Sequence, residues 1–159
     1  MSESKKTILI TGCSSGFGKL ATLALCTHHN VIATMRDVSK KDQFDDVEDR
    51  SNIDIQYCDV LDQHSITQLA SHVKSTYKKV DVLINNAGVF LGGFFEDCTA
   101  AEIDTVINTN ITGVFNVTKA ILPLLRESKH GKLINISSSS GLVAMPAASI
   151  YAASKHAIE

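Results

Sequence analysis

Two side chains near the end of the chain have the chemistry to move a proton. Tyr151 and Lys155 stand four residues apart, so on a helix they share a face. An ammonium beside a phenol stabilises the phenolate and draws a tyrosine pKa of about 10 toward the physiological range, which makes the hydroxyl a usable acid or base. By itself that spacing also describes an ordinary surface pair. Its weight comes from two other stretches. One is the serine run Ser137 to Ser140 just upstream. The other is TGCSSGFG near the start, where Gly16, Gly18 and Ala21 satisfy G-x-G-x-x-A. There Gly12 can take a backbone conformation that a Cβ would forbid. Gly16 and Gly18 leave a helix start bare, so a pyrophosphate can approach N–H groups that carry the positive end of the helix dipole. The alternative is a plain strand-to-helix turn.

Four further positions carry candidate binding chemistry. Arg36 lies about 20 residues past the glycines, where a dinucleotide fold meets the adenosine ribose, and an arginine there pairs with the 2′-phosphate of NADP. Asp37 beside it would instead suit the free hydroxyl of NAD if the strand ran further; a solvated loop charge is the other reading of Arg36. Asp59 and Val60 follow the third predicted strand at its ligand-binding end. Asp59 can accept from an adenine amino group or serve as a turn or cap residue. In Asn85-Asn86-Ala87-Gly88, the asparagines can lock a loop through backbone groups and Gly88 leaves room for a flat ring or a sharp turn. Asn110 falls in the middle of an apolar helical pattern, where it needs partners and is expected to distort the helix and bind water.

The elements that must hold these residues follow from periodicity. Short apolar runs at Thr7–Ile10, Val31–Met35, Ile53–Cys58, Asp81–Ile84 and Lys132–Ile136 read as strands, the first two of them buried. Between them, Phe17, Leu20, Ala21, Ala24 and Leu25 recur at helical spacing, and so do Ile66, Leu69, Val73 and Tyr77, closed by Lys78-Lys79. Thr99 and Glu102 form a capping box that opens one long helix running past Leu122. Its apolar surface is wide enough to call for cover by the sheet and a partner subunit. Ala147–Ser149 open the last helix.

Composition narrows the classes. A length of 159 residues predicts one domain. The net charge of -2, with acids and bases interleaved, leaves no footprint for nucleic acid or an anionic membrane. No run approaches the roughly 18–20 apolar residues of a membrane span, and nothing resembles a signal peptide. Cys13, Cys26, Cys58 and Cys98 are widely spaced, which predicts buried thiols in a reducing cytoplasm. The histidines show no metal-ligand spacing.

Taken together, these motifs resemble the short-chain dehydrogenase/reductase family, in order and over nearly the whole chain. TGCSSGFG is similar to the family's TGxxxGxG, Asp59-Val60 to its adenine-contacting pair, NNAG to its sheet-stabilising loop and YAASK to its YxASK signature. Asn110 matches the helix asparagine of the catalytic tetrad. Ser138, thirteen residues before Tyr151, matches the serine, with Ser137 and Ser139 as neighbours. TGCSSGFG and ATMRD are also similar to retinol and hydroxysteroid dehydrogenases within the family. The resemblance implies an α/β doubly wound parallel sheet (Rossmann), strand order 3-2-1-4-5. Family members continue well past the tyrosine–lysine motif, so the later strands are expected to be missing and the fifth strand to be an open edge.

The resemblance further implies reversible hydride transfer between NADP, in preference to NAD, and a carbonyl/secondary alcohol pair. Gly12, Ser14, Ser15, Gly16, Phe17 and Gly18 would hold the pyrophosphate region and Arg36 the 2′-phosphate. Asp59 and Val60 would meet the adenine, and Asn86, Ala87 and Gly88 would shape the pocket. Tyr151 would be the acid/base, and Lys155 would tune it and bind the nicotinamide ribose. Ser138 would hold the substrate oxygen and Asn110 a proton-relaying water. The expected partners are a small carbonyl or alcohol substrate and a homodimer or homotetramer. A regulatory protein that senses NADP(H) without turnover is the alternative, and a scaffold fragment that binds nothing is a third; the complete Asn110, Ser138, Tyr151 and Lys155 set argues against the sensor.

Overall fold

A computed structural model describes residues 5–45, 47 and 50–159. Five strands, β1 (Thr7–Ile10), β2 (Asn30–Met35), β3 (Ile53–Tyr57), β4 (Val82–Asn85) and β5 (Lys132–Asn135), form one parallel sheet in the order β3-β2-β1-β4-β5. Parallel pairing forces every connection to cross over the sheet. The crossovers are α1 (Gly16–Leu25), a 3-10 segment Val38–Phe44 between β2 and β3, α2 (Gln63–Tyr77), and α3 (Ala100–Ile107) with α4 (Gly113–Arg126); α5 (Ser149–His156) follows β5. This is the doubly wound Rossmann-type arrangement. Its consequence for function is geometric: all five strands end at the same edge, and the order reverses between β1 and β4, where a crevice opens.

The core divides by strand alternation. On one face Leu9, Ile32 and Leu83 pack with Ile66, Leu69 and Val73 of α2 and Val117, Ile121 and Leu124 of α4. On the other, Ile8, Ile10, Val31, Ala33 and Ile84 pack with Phe44, Cys13 and Cys26. Residue Asp81, expected to start the fourth strand, precedes it; its carboxylate accepts from Thr7 N (2.9 Å), Lys79 Nζ (2.6 Å) and Ser128 Oγ (2.6 Å). It ties the lower ends of the sheet together.

One helical expectation is corrected in part. In α1 the apolar stripe is split: Ala21 and Leu25 pack against the core, whereas Phe17 and Leu20 are 78% and 60% exposed, and Gly18 and Thr22 are buried. The helix lies so close to the glycine turn that only small residues fit between them, so Phe17 and Leu20 turn outward. The helix expected to open at Thr99 and run past Leu122 does so as α3 and α4, with the expected distortion at Asn110 between them. Residues Asn108–Thr112 make a wider, π-helical turn, in which Gly113 N donates to Asn108 O. The capping box at Thr99 and Glu102 is present. Of the apolar residues expected to be covered on that helix, Phe115 is 60% exposed. Among the described residues β5 pairs with β4 alone. Also among them, no helix is long and apolar enough to cross a membrane.

Candidate functional site

The cleft at the carboxyl edge of the sheet has a volume of about 640 Å3. The strands β1 to β4 each deliver one part of it. After β1 come Gly12, Ser14, Ser15, Gly16 and Phe17; after β2, Arg36, Asp37 and Lys40; after β3, Asp59 and Val60; after β4, Asn86, Ala87 and Gly88. Gly12 and Gly16 have φ of 71° and 54°, the left-handed region that favours glycine. A Cβ on Gly16 would meet nothing within 4 Å, so that position opens onto the cleft. α1 starts there with no acidic residue in its first turn, and the Ser15 side chain does not cap it. The first N–H groups of α1 and the positive end of its dipole are therefore available to an anion.

Gly18 sits differently. It is buried under the turn, where a Cβ would lie 2.4 Å from Gly12 O and 2.5 Å from Asn86 Nδ2. Its missing side chain lets α1 approach the turn and does not face the cleft. The two turns are locked together from β4: Asn86 Nδ2 donates to Thr11 O (2.8 Å) and Gly12 O (3.1 Å). In return Thr11 Oγ1 accepts from Asn86 N and Ala87 N, both at 3.0 Å. Thr11 was not singled out from the sequence, although its place directly before Gly12 was the available signal.

At the adenosine end, β2 stops at Met35. Asp37 does not extend it, because its carboxylate accepts from Ser39 N (3.1 Å) and Ser39 Oγ (2.5 Å) and caps the next turn. Those bonds hold its pKa below the usual carboxylate value. Arg36 and Lys40, both exposed, are the cationic groups of this part of the wall. Asp59 lines the cleft, and its carboxylate accepts from Leu61 N (2.9 Å), the turn role read from the sequence. Val60 forms the floor against Gly113, where a Cβ would come 2.6 Å from Val60 Cγ2. Cys58 also lines the cleft, but burial first, with Asp59 and Asp62 nearby, pushes its thiol up to about 11 against a hydrogen bond from Ser65. It is no nucleophile at neutral pH.

The second part of the site lies beyond β4 and β5. Asn110, 1% exposed, sits in the wide turn between α3 and α4. Its Oδ1 accepts from Val89 N (2.8 Å), and its Nδ2 donates to Val89 O (2.9 Å) and Ser154 Oγ (3.0 Å). Ser154 Oγ donates onward to Tyr151 O (2.7 Å). A single amide thus joins the loop after β4 to the helix carrying Tyr151 and Lys155. Lys155 is buried and donates from Nζ to Ile136 O at the end of β5 (2.8 Å); desolvation lowers its pKa. Gly88 faces both groups: a Cβ there would lie 3.2 Å from Asn110 Oδ1 and 3.7 Å from Lys155 Nζ. The Lys155 ammonium stands 5.6 Å from the centre of the Tyr151 ring, which packs edge-on against Phe90 at 4.9 Å. Ser138 lies in the loop after β5, and its Oγ accepts from Ser140 N (3.1 Å). Ser137 Oγ is buried without a partner. Ser154 and Thr109 belong to this region and were not singled out beforehand.

Comparison with known proteins agrees with this geometry. Residues 6–159 match the family described as short chain dehydrogenase. The chain is similar to the uncharacterized oxidoreductase YusZ of Bacillus subtilis, 42% identical over 98% of this chain and 56% of that protein. It is also similar to the 3-ketodihydrosphingosine reductase of Bacteroides thetaiotaomicron, 40% identical over 96% of this chain and 54% of that protein. Among solved structures, ElxO with NADP bound superposes with a TM-score of 0.90 at 31% identity, covering 97% of this chain and 64% of that one. The chain spans just over half the length of the curated relatives it matches.

Proposed function

The chain belongs to the short-chain dehydrogenase family, and from that premise we propose that it is the nucleotide-binding and proton-transfer portion of an oxidoreductase that interconverts a carbonyl and a secondary alcohol with NADP(H). The observation that carries this reading is convergence: a bare helix start, a pair of cations and a tyrosine–lysine pair meet at one edge of one sheet. The cleft residues suit NADP. Gly16 leaves open space at the start of α1 for a pyrophosphate. Arg36 and Lys40 supply charge for a 2′-phosphate, while the one carboxylate that would oppose it, Asp37, is engaged by Ser39. The NADP-bound ElxO structure supports the same cofactor.

When bound, the nicotinamide nucleotide supplies the hydride to the carbonyl carbon or accepts it from the alcohol. The chain's own residues handle the proton. In the reducing direction the Tyr151 O–H bond breaks and its proton passes to the substrate oxygen; in the oxidising direction the same oxygen takes the proton back. Lys155, pinned by Ile136 O, holds its ammonium 5.6 Å from the centre of the Tyr151 ring. Ser138 hydrogen-bonds the substrate oxygen. Asn110 fixes the register of α5 against the loop after β4, and through it the aim of Tyr151.

The test is NADPH oxidation against a panel of ketones and aldehydes with wild type and Tyr151→Phe. The phenylalanine keeps the ring against Phe90 and removes the proton. Turnover should fall by about 10²–10⁴, the usual worth of a general acid, with NADPH affinity within a few-fold of wild type. Nucleotide binding with turnover indifferent to the substitution would favour a non-catalytic NADP(H)-binding regulator.

A further inference from the structure

Two loops beside Tyr151 hold apolar side chains that the fold does not bury. After β4, Phe90, Phe94 and Phe95 are 69%, 66% and 63% exposed; after β5, Leu142, Val143 and Met145 are 74%, 67% and 60% exposed. Neither segment, Val89 to Phe95 or Gly141 to Ala148, contains an ionisable residue. Scattered apolar residues on a surface need no explanation, but six in two adjoining uncharged loops do.

The loops are positioned as one wall. Gly93 N donates to Ala147 O at 2.8 Å, which joins them across the end of the sheet. Ala147 is held there at a φ of 58°, a conformation an alanine adopts only when its surroundings require it. The wall is continuous with the reacting group. Phe90 packs on the Tyr151 ring at 4.9 Å, and the second loop is the segment that leads from Ser138 through the turn at Ser139–Gly141 into α5. On the nucleotide side of Tyr151 the cleft is lined by serines, cations and Asp59. The site is therefore polar toward the nucleotide and apolar, without any charged group in either loop, on the side left for a substrate.

We propose that these loops receive the hydrocarbon part of a lipophilic carbonyl or alcohol, whose oxygen reaches Tyr151 while its chain or ring system lies along Phe90, Phe94, Leu142 and Val143. This inference rests on the function proposed above and adds the substrate class to it. It excludes small charged keto acids, because no cation in either loop is available to pair with a carboxylate.

A homologous series from butan-2-one to dodecan-2-one tests the assignment with two readouts on the purified protein. Binding is followed by saturation-transfer NMR with NADP present, and turnover by NADPH consumption. Affinity should rise roughly fourfold for each methylene that the loops cover, the gain expected from burying a CH₂. Phe94→Ser and Leu142→Ser lie at exposed positions where a polar residue does not disturb the core. Each should cut the ratio of dodecan-2-one to butan-2-one affinity by about fifteenfold, the worth of two methylenes. A flat series, or a ratio that both serine variants leave intact, overturns the proposal whether or not any ketone is reduced. If the serine variants instead convert a dimer into a monomer in sedimentation while the ketone ratio stays put, the wall belongs to a second copy of the chain and the proposal also fails. Absence of Tyr151-dependent turnover for every carbonyl defeats the parent reading, and the binding series still decides this one.

Discussion

At the scale of single residues, the glycines of the first turn divide into two kinds. Gly16 has a left-handed φ and open space beside it, whereas Gly18 is a spacer between α1 and the Gly12 carbonyl. The two should respond differently to an added methyl. Gly16→Ala keeps the core intact, costs about 1 kcal/mol for the left-handed backbone, and places a methyl where a phosphate would approach. Its main effect should be a loss of NADPH affinity, read by fluorescence titration. Gly18→Ala drives a methyl into a backbone carbonyl and should cost about 1–3 kcal/mol in urea unfolding, the usual penalty of overpacking. Equal stability losses in the two variants would show that this division is wrong. The thiols offer a second residue-scale contrast: Cys13 and Cys58 are both pushed up to about 11 by burial, so neither should react with neutral alkylating agents in the folded protein.

At the scale of elements, the wide turn between α3 and α4 is the feature that most shapes the site. A regular helix through Asn108–Thr112 would be locally better satisfied, but the turn lets one asparagine face both Val89 and Ser154. It also brings Gly113 against Val60, and Asn116 Nδ2 reaches Val60 O at 3.3 Å. Asn110→Ala leaves the Val89 N–H and C=O without their partner and the Ser154 hydroxyl with its bond to Tyr151 O alone. Buried polar groups orphaned in this way cost about 1–3 kcal/mol each, so the variant should lose at least about 2 kcal/mol in chemical denaturation. Hydrogen exchange should speed up at Val89 in the same variant. Protection at Val89 as high as in wild type would mean that the amide does not hold that loop.

At the scale of the whole molecule, the sheet is held at its lower end by one buried carboxylate. Burial alone would raise the Asp81 pKa, but bonds from Lys79, Ser128 and Thr7 outweigh it and leave the value below the ordinary 3.8. A carboxylate with a folded pKa below its unfolded one contributes stability that is fully present above the unfolded value and is lost as pH falls through the folded one. The stability of wild type should therefore drop as pH goes below about 4, in part through this group. Asp81→Asn should be less stable at neutral pH and lose less on acidification, as followed by thermal melts across that range. A pH profile that is parallel in the two proteins would remove Asp81 from the account. β5 adds a second property of the whole: its residues are exposed, and among the described residues it pairs on one side only. A strand in that position is a template for a further strand.

Much of this could be read from the chain before folding was considered. Four-residue β-branched runs, a glycine turn between a strand and a helix, and Tyr151 four residues from Lys155 are local signals, and local signals depend only on backbone propensity and side-chain period. They led to the strands and helices and to most of the residues that line the cleft, while the sheet order came from the family resemblance. The rest depends on partners that are remote in sequence. Asn110 meets residues 21 and 44 positions away, and Thr11 meets a turn 75 positions on. The outward set of Phe17 and Leu20 in α1 was decided by how closely that helix must approach Gly12. A pattern of apolar residues says that one face will be buried; which face it is depends on the element that arrives to cover it, and that arrival is a property of the folded sheet.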